Sequence, residues 1–397
     1  MTGMGAAVVT TSAGCAALLL GLLLTEPLRR FALRHGITDR PSPRKAHTCP
    51  TPYLGGVAVG AATLAAAAVA VLPRGVFDPV LGVVLGCSAL MCVLGLIDDL
   101  RQLSVRFRLC VETSAAAVVV LAGGCPTILG GPFDAVFAIV WIVFVTNAFN
   151  LLDNMDGAAS SLCVVIGAFL CATALADGRI GLAVLTAALV GACLGFLFHN
   201  RHPARIFLGD AGSLFLGFML ASVMTVVHHD VDGLSGPAVL LLPTLVPALD
   251  TTLVMLSRYM EARPLLQGGT DHISHRLRRL GLTVPQVVRV MGAFATAGCL
   301  AAVLVAHGVL APGMALVAAC AVGVGAVRLL LVIPATAGAS PVVSASGIHR
   351  TASQSRPADG GFGRRHRPFR PTAVPHSREA RKPATLPRTA GTPAAPQ

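Results

Sequence analysis

Residues 131–157 read GPFDAVFAIVWIVFVTNAFNLLDNMDG. The stretch 131–149 is an apolar run close to the ~20 helical residues that a bilayer crossing requires. Its end carries Asn147, Asn150, Asp153 and Asp156, spaced every three residues, so neighbouring members share one side of a helix end. No Lys or Arg lies between 147 and 159 to neutralise the two acids. An apolar helix that delivers amides and carboxylates to its mouth points to a membrane protein doing polar chemistry at the membrane edge.

The rest of the chain repeats that theme. It has 397 residues, 54% hydrophobic and only 12% charged, with a mean hydropathy of +0.75. Soluble domains carry about twice that share of charge, which excludes a water-soluble enzyme. Eleven apolar runs recur, at about 4–24, 53–73, 79–97, 109–123, 131–149, 160–176, 179–197, 212–228, 237–257, 287–307 and 310–334. The fourth is short. Gly, Ala and Ser are frequent inside the runs, as expected where helices approach closely. The first run lacks a charged leader and passes straight into a basic loop, so it reads as a retained helix rather than a cleaved signal. The expectation is an all-α polytopic membrane domain over 1–334 with about eleven transmembrane helices.

Charge placement orients it. Alternate connections (25–52, 98–108, 147–159, 198–211 and 258–286) hold sixteen Lys and Arg, against only Arg74 and Arg179 in the opposite set. By the positive-inside rule the first set is cytoplasmic and the N-terminus lies outside. The formal charge of +12 is largely a tail effect: residues 335–397 hold ten basic and two acidic residues. That segment is rich in Pro, Arg, Ser, Thr and Ala and cannot build a core, so it reads as a disordered basic tail. Its arginines Arg364, Arg365, Arg367 and Arg370 could touch anionic lipid. Nucleic-acid binding would need interleaved aromatics, and the tail offers only Phe362 and Phe369. Of the eleven cysteines nine fall in or beside apolar runs and none forms a Cys-x-x-Cys, which argues against disulfides and zinc.

Polar residues gather on the inferred cytoplasmic side. Asp98 and Asp99 end the third run; two adjacent carboxylates can supply a base or attend a cation, or simply punctuate a helix end. The 147–157 cluster offers hard oxygens that suit Mg²⁺, or a polar loop with Asx turns. In Phe207-Leu-Gly-Asp210-Ala-Gly-Ser213, glycines flank an acid at a helix start, which suits a metal-bound diphosphate or simple helix capping. His272, His275 and Arg276 stand at i, i+3 and i+4 and would project together, a guanidinium and two imidazoles for a phosphate. Arg44-Lys45-Ala-His47, just before the Pro- and Gly-rich approach to the second run, suits an anionic headgroup or is ordinary positive-inside charge. Asp250 and Arg328 lie inside apolar runs, and Asp250 there must be hydrogen-bonded or neutral.

With these clusters in this order, the chain resembles the polyprenyl-phosphate N-acetylhexosamine-1-phosphate transferases, the membrane family with WecA/TagO-like and MraY branches. The matching stretches are RKAHTCPTPYLGG at 44–56, GLIDDL at 95–100, NAFNLLDNMDG at 147–157, FLGDAGSLFLGF at 207–218 and DHISHRL at 271–277. The resemblance implies that a UDP-sugar, with N-acetylglucosamine as the expected sugar, gives its sugar-1-phosphate to polyprenyl phosphate and releases UMP. It implies Mg²⁺, or Mn²⁺ in its place, with Asp210 as a metal ligand and Asn150 or Asp153 as a second. Asp98 and Asp99 would orient or deprotonate the lipid phosphate, and Asp156 would hold the nucleotide or the metal shell. Lys45, His47, Asn147, His272, His275 and Arg276 would bind substrate. A homodimer in the plasma membrane, with its site on the cytoplasmic face, is the candidate assembly.

Ser274 stands where many relatives carry another histidine, which favours the WecA/TagO-like branch over the MraY branch with its peptide-bearing sugar. Ala158 replaces a usual Leu, a packing change. The tail matches nothing in the family. A secondary transporter, the reading from another class, wants mid-membrane charges and an inverted repeat. Only Asp250 and Arg328 lie well inside, and no repeat is visible.

Overall fold

The fold is that of a computed structural model, which describes residues 3–39, 51–74, 77–128, 130–265 and 269–333. Lys45, His47 and the basic tail lie outside the described residues. The described helices are α1 (Gly3–Arg34), α2 (Gly55–Val71), α3 (Pro79–Arg101), α4 (Val105–Leu121), α5 (Pro132–Leu152), α6 (Ala158–Ala176), α7 (Ile180–Asn200), α8 (Gly209–Val227), α9 (Ser235–Leu241), α10 (Leu245–Met260), α11 (Ile273–Arg279), α12 (Val284–Ala306) and α13 (Pro312–Leu331). Among the described residues the exception to an all-α architecture is a two-residue antiparallel pair, β1 (Thr38–Asp39) with β2 (Thr51–Pro52).

Nine of the described helices are long and apolar enough to cross a membrane: α1, α2 with the turn that follows it, α3, α5, α6, α7, α8, α12 and α13. The chain is therefore a multi-pass membrane protein, and two of the eleven apolar runs differ in form from a single long straight helix. The fourth run belongs to α4, which at 17 residues stands at the short end of the lengths that cross a bilayer. The ninth run is broken, because α9 and α10 meet at 76°. Pro243 sits in the break and has no N–H to donate. The hydroxyl of Thr244 donates to the carbonyl of Leu240 at 2.8 Å, the kind of side-chain substitute a freed backbone group needs where water is scarce.

At the centre stands α8. It is buried all round from Ala211 to Val227, as a helix apolar on every face must be. Around it pack α2, α3, α5 and α6. Lipid tails are as apolar as side chains, so these contacts rely on close fit rather than on expulsion of water. A Cβ on Gly56 of α2 would stand 2.0 Å from the amide nitrogen of Gly212, and one on Gly95 of α3 would stand 2.2 Å from the carbonyl oxygen of Asp210. Backbone bonds reinforce the junction: Gly55 and Gly56 donate to the carbonyls of Phe207 (3.0 Å) and Leu208 (2.7 Å), and Phe207 donates to that of Pro52 (2.7 Å). The start of α8 is thereby pinned beside the start of α2.

The pair α1 and α7 uses the same device, since a Cβ on Gly191 would lie 2.0 Å from the carbonyl oxygen of Gly14. Gly191→Val is expected to lower stability in detergent by about 1–3 kcal/mol, because two backbones must separate. The control is Gly86→Ala on exposed α3 surface, where a new methyl meets nothing within 4 Å. Better helix propensity there should leave stability unchanged or raise it by up to about 1 kcal/mol. Thermal unfolding of the two purified variants distinguishes these outcomes.

Candidate active site

Two helix ends, those of α3 and α5, and the start of α8 meet at one end of the bundle. α3 brings Asp98 and Asp99 in its last turn, and α5 brings Asn147 and Asn150, with Asp153 at its C-cap. Asp210 is the second residue of α8. Asp99 accepts the backbone N–H groups of Asp210 and Ala211, each at 3.0 Å, one on each carboxylate oxygen. A helix start leaves its first N–H groups without partners, and a carboxylate there also meets the positive end of the helix dipole. Asp99 therefore caps α8 from another helix. Gly209, just before Asp210, has φ +73°, and a Cβ there would stand 2.7 Å from Asp99 Oδ2, so this junction needs glycine on both counts.

Asp210 is gripped from the other side. Asn150 Nδ2 donates to Asp210 Oδ1 at 2.7 Å and to Ser213 Oγ at 2.9 Å. Its amide oxygen is what Asn150 could offer a cation. Asp98 lies within hydrogen-bonding reach of Asp210 and accepts from Leu103 N (2.6 Å) and Arg108 Nη1 (2.8 Å). Asp153 accepts from the Gly209 N–H; burial first, then the carboxylates of Asp210, Asp99 and Asp156, push its acid up to about 8. Five of the expected residues, Asp98, Asp99, Asn150, Asp153 and Asp210, thus gather around the first turn of α8.

Arg108 and Glu112 of α4 complete this cluster and were not among the expected site residues. Arg108 donates to Asp98, stands 3.8 Å from Asp210, 3.5 Å from Glu112, and donates to Asn147 Oδ1 at 3.4 Å. Glu112 is fully buried and accepts from Asn147 Nδ2. Asn147 is thus a bridge between α4 and α5. The signal for Glu112 was an acid inside an apolar run. Arg108 carried no signal beyond ordinary positive-inside charge.

Other expected residues are placed elsewhere. Asp156 accepts from His202 Nδ1 (2.7 Å) and Ala204 N (3.1 Å), so it fastens the loop between α7 and α8. Arg276, expected to face a phosphate, is only 1% exposed. It donates to the carbonyls of Leu330 (2.8 Å), Ile333 and Asp271 (3.1 Å) and to Ser257 Oγ (2.7 Å). Its long side chain turns away from the His face and ties α11 to α10 and to the end of α13. His272 and His275 do stand together, ring centroids 6.1 Å apart. The hydroxyl of Ser274 donates to Asn154 Oδ1, which joins their helix to the acid-bearing loop. Asp271 is buried; burial alone would raise its acid, but Arg263 and Arg258 hold it below the usual carboxylate range.

Two outcomes follow from these charges. Replacing Arg108 with Met leaves Asp98, Glu112 and Asp210 facing one another without a cation, and removal of one partner from a buried ion pair costs about 3–5 kcal/mol. Thermal unfolding should show that loss for Arg108→Met and almost none for exposed Arg106→Met. For His275, burial, then His272 and Arg279, press its acid from 6.5 down to about 4. The folded protein therefore resists a proton that the unfolded chain accepts. Stability from this group is complete above pH 6.5 and falls as pH drops toward 4. His275→Gln should lose less stability over that interval than the parent, as read by unfolding at stepped pH.

Residues 81–228, which contain this acid cluster, match the sequence model of the family described as glycosyl transferase family 4. A protein of Streptomyces coelicolor named as a glycosyltransferase is 40% identical over 306 residues, covering 76% of this chain and 71% of its own length. A protein of Bacillus subtilis named as an undecaprenyl-phosphate N-acetylglucosaminyl 1-phosphate transferase is 31% identical, covering 67% of this chain and 76% of its own length. The decaprenyl-phosphate N-acetylglucosaminephosphotransferase of Mycolicibacterium smegmatis is 32% identical, over 68% of this chain and 75% of its own length. On this identity, sustained through both the bundle and its acid-bearing end, the chain belongs to glycosyl transferase family 4.

Proposed function

We propose that the protein transfers a sugar-1-phosphate from a UDP-sugar to polyprenyl phosphate at the cytoplasmic face of the plasma membrane. N-acetylglucosamine-1-phosphate is the favoured cargo, since it is the one named for the Bacillus and Mycolicibacterium relatives. The observation that carries the reading is the convergence of Asp98, Asp99, Asp153 and Asp210 on the first turn of α8, at the mouth of an otherwise apolar bundle. A lipid phosphate held at the membrane edge and a water-soluble nucleotide could meet there.

The donor set fits Mg²⁺. Among the described residues no three His, Cys, Asp or Glu side chains enclose a metal by themselves. Mg²⁺ does not need such a cage, because it binds through one or two carboxylates and takes substrate phosphates and water as its other ligands. Asp210, whose side chain is 36% exposed, and Asp153 would hold it. The ion would screen the donor diphosphate and the charge that develops on departing UMP.

The chain's own groups do the rest. Asp99 and Asn150 hold Asp210 in place. Arg108, set among Asp98, Glu112 and Asp210, keeps these carboxylates together and offers a guanidinium to an incoming phosphate. Asp98 and Asp99 orient the lipid phosphate. One of its oxygens bonds to the phosphorus that carries the sugar, the bond from that phosphorus to the UMP oxygen breaks, and UMP leaves with the electron pair. His272 and His275, on a helix joined to the acid-bearing loop through Ser274 and Asn154, would bind the donor.

Purified full-length protein, offered a panel of UDP-sugars with polyprenyl phosphate in detergent and Mg²⁺, should release UMP and form a lipid-linked sugar with UDP-N-acetylglucosamine. Chelation should stop the release and added Mg²⁺ or Mn²⁺ restore it. Asp210→Asn should lower kcat by about 100-fold or more, the scale of losing a group that stabilises transition-state charge. Release of UMP from no donor would overturn the proposal, and a wild-type rate for Asp210→Asn would overturn the metal assignment.

A further inference from the structure

Asp250 lies in α10, beyond the break, and is fully buried. Both of its carboxylate oxygens are occupied. Oδ2 is 2.8 Å from His272 Nδ1, and Oδ1 accepts the backbone N–H of Ile273 at 2.7 Å. His272 is the N-cap of α11, and Ile273 is that helix's first residue. One carboxylate thus caps the helix and meets the imidazole on the same residue pair.

The chemistry of that contact is restrictive. Ile273 N–H is a donor at all times and takes one oxygen. The other oxygen of an ionised carboxylate can only accept, so Nδ1 must carry the hydrogen. Nε2 makes no hydrogen bond among the described residues, and so it is the nitrogen left for a ligand. An asparagine at 250 would lose this property. Its one oxygen would serve Ile273, and its NH₂ would face Nδ1 as a donor, which forces the hydrogen onto Nε2.

We propose that Asp250 is a positioning residue that fixes His272 as the Nδ1–H tautomer and aims Nε2 at the donor as a hydrogen-bond acceptor. The natural counterpart is then an O–H or N–H of the donor, such as a hydroxyl or acetamido group of an N-acetylhexosamine, rather than a phosphate oxygen. This rests on the reading of His272 as a donor-binding residue. The role of Asp250 does not reach the reacting phosphorus; it acts through the imidazole.

The test uses full-length protein in detergent, labelled with ¹⁵N at the histidine rings. Twelve histidines are present, and subtraction of a His272→Gln spectrum assigns the one in question. The expected wild-type spectrum shows the hydrogen of His272 on Nδ1, and Asp250→Asn moves it to Nε2. Hydrogen on Nε2 in the wild type overturns the proposal, and this measurement stands even if Asp250→Asn does not fold. In kinetics, Asp250→Asn should reduce kcat/KM for the UDP-sugar by about tenfold or more, the scale of removing a group that orients a histidine ligand. It should have no further effect in a His272→Gln background. Losses that multiply in the double variant overturn the coupling. Failure of the wild type to use any UDP-sugar would instead sink the functional reading, while the ring spectrum would still decide the pairing.

Discussion

The first turn of α8 is the point on which the acid-bearing end of the bundle depends. Its N–H groups need partners, and Asp99 reaches across from α3 to supply both oxygens. That bond fixes a carboxylate at a helix start, places Asp210 beside it, and draws α3 against α8 closely enough that Gly95 must lack a side chain. On the other flank Gly56 meets Gly212 backbone to backbone. The acids are therefore held by the packing of whole helices rather than by a flexible loop, and side chains built on rigid elements keep their geometry.

So many carboxylates in one place need compensation. Part comes from backbone N–H groups: Asp98 takes one from Leu103, Asp99 two from α8, and Asp153 one from Gly209. Part comes from Arg108, the guanidinium placed among Asp98, Glu112 and Asp210. Among the described residues, acids in this cluster thus outnumber the one guanidinium paired with them. The proposed Mg²⁺ would add to that compensation and would let a phosphate approach the acids. In the second polar region, Arg258 and Arg263 converge on Asp271, and Arg263 also pairs with Glu261.

Much of this is readable in the sequence, for a physical reason. Carboxylates are rare in a chain only 12% charged, so Asp98, Asp99, Asp153 and Asp210 stand out at the mouths of apolar runs. Span positions follow from hydropathy, since the bilayer sets the length. What escapes such reading depends on direction and reach. The 76° break between α9 and α10 is invisible to a hydropathy window because both halves are apolar. The i, i+3, i+4 spacing puts His272, His275 and Arg276 on one face, yet the arginine is long enough to swing to carbonyls on another helix. Glu112 hides inside a run whose average is apolar, and Arg108 looks like any orienting charge until Asp98 is found opposite it.

Arg276 has a mechanical consequence. By donating to the carbonyls of Leu330 and Ile333 it uses acceptors at the end of α13 as its own anchor. The last described helix is thus a strut for the histidine-bearing segment, although it carries none of the acids. A fusion partner joined directly after Ile333 would load that strut and pull on α11 from behind. A spacer that leaves those two carbonyls undisturbed would isolate the histidines from whatever is attached beyond.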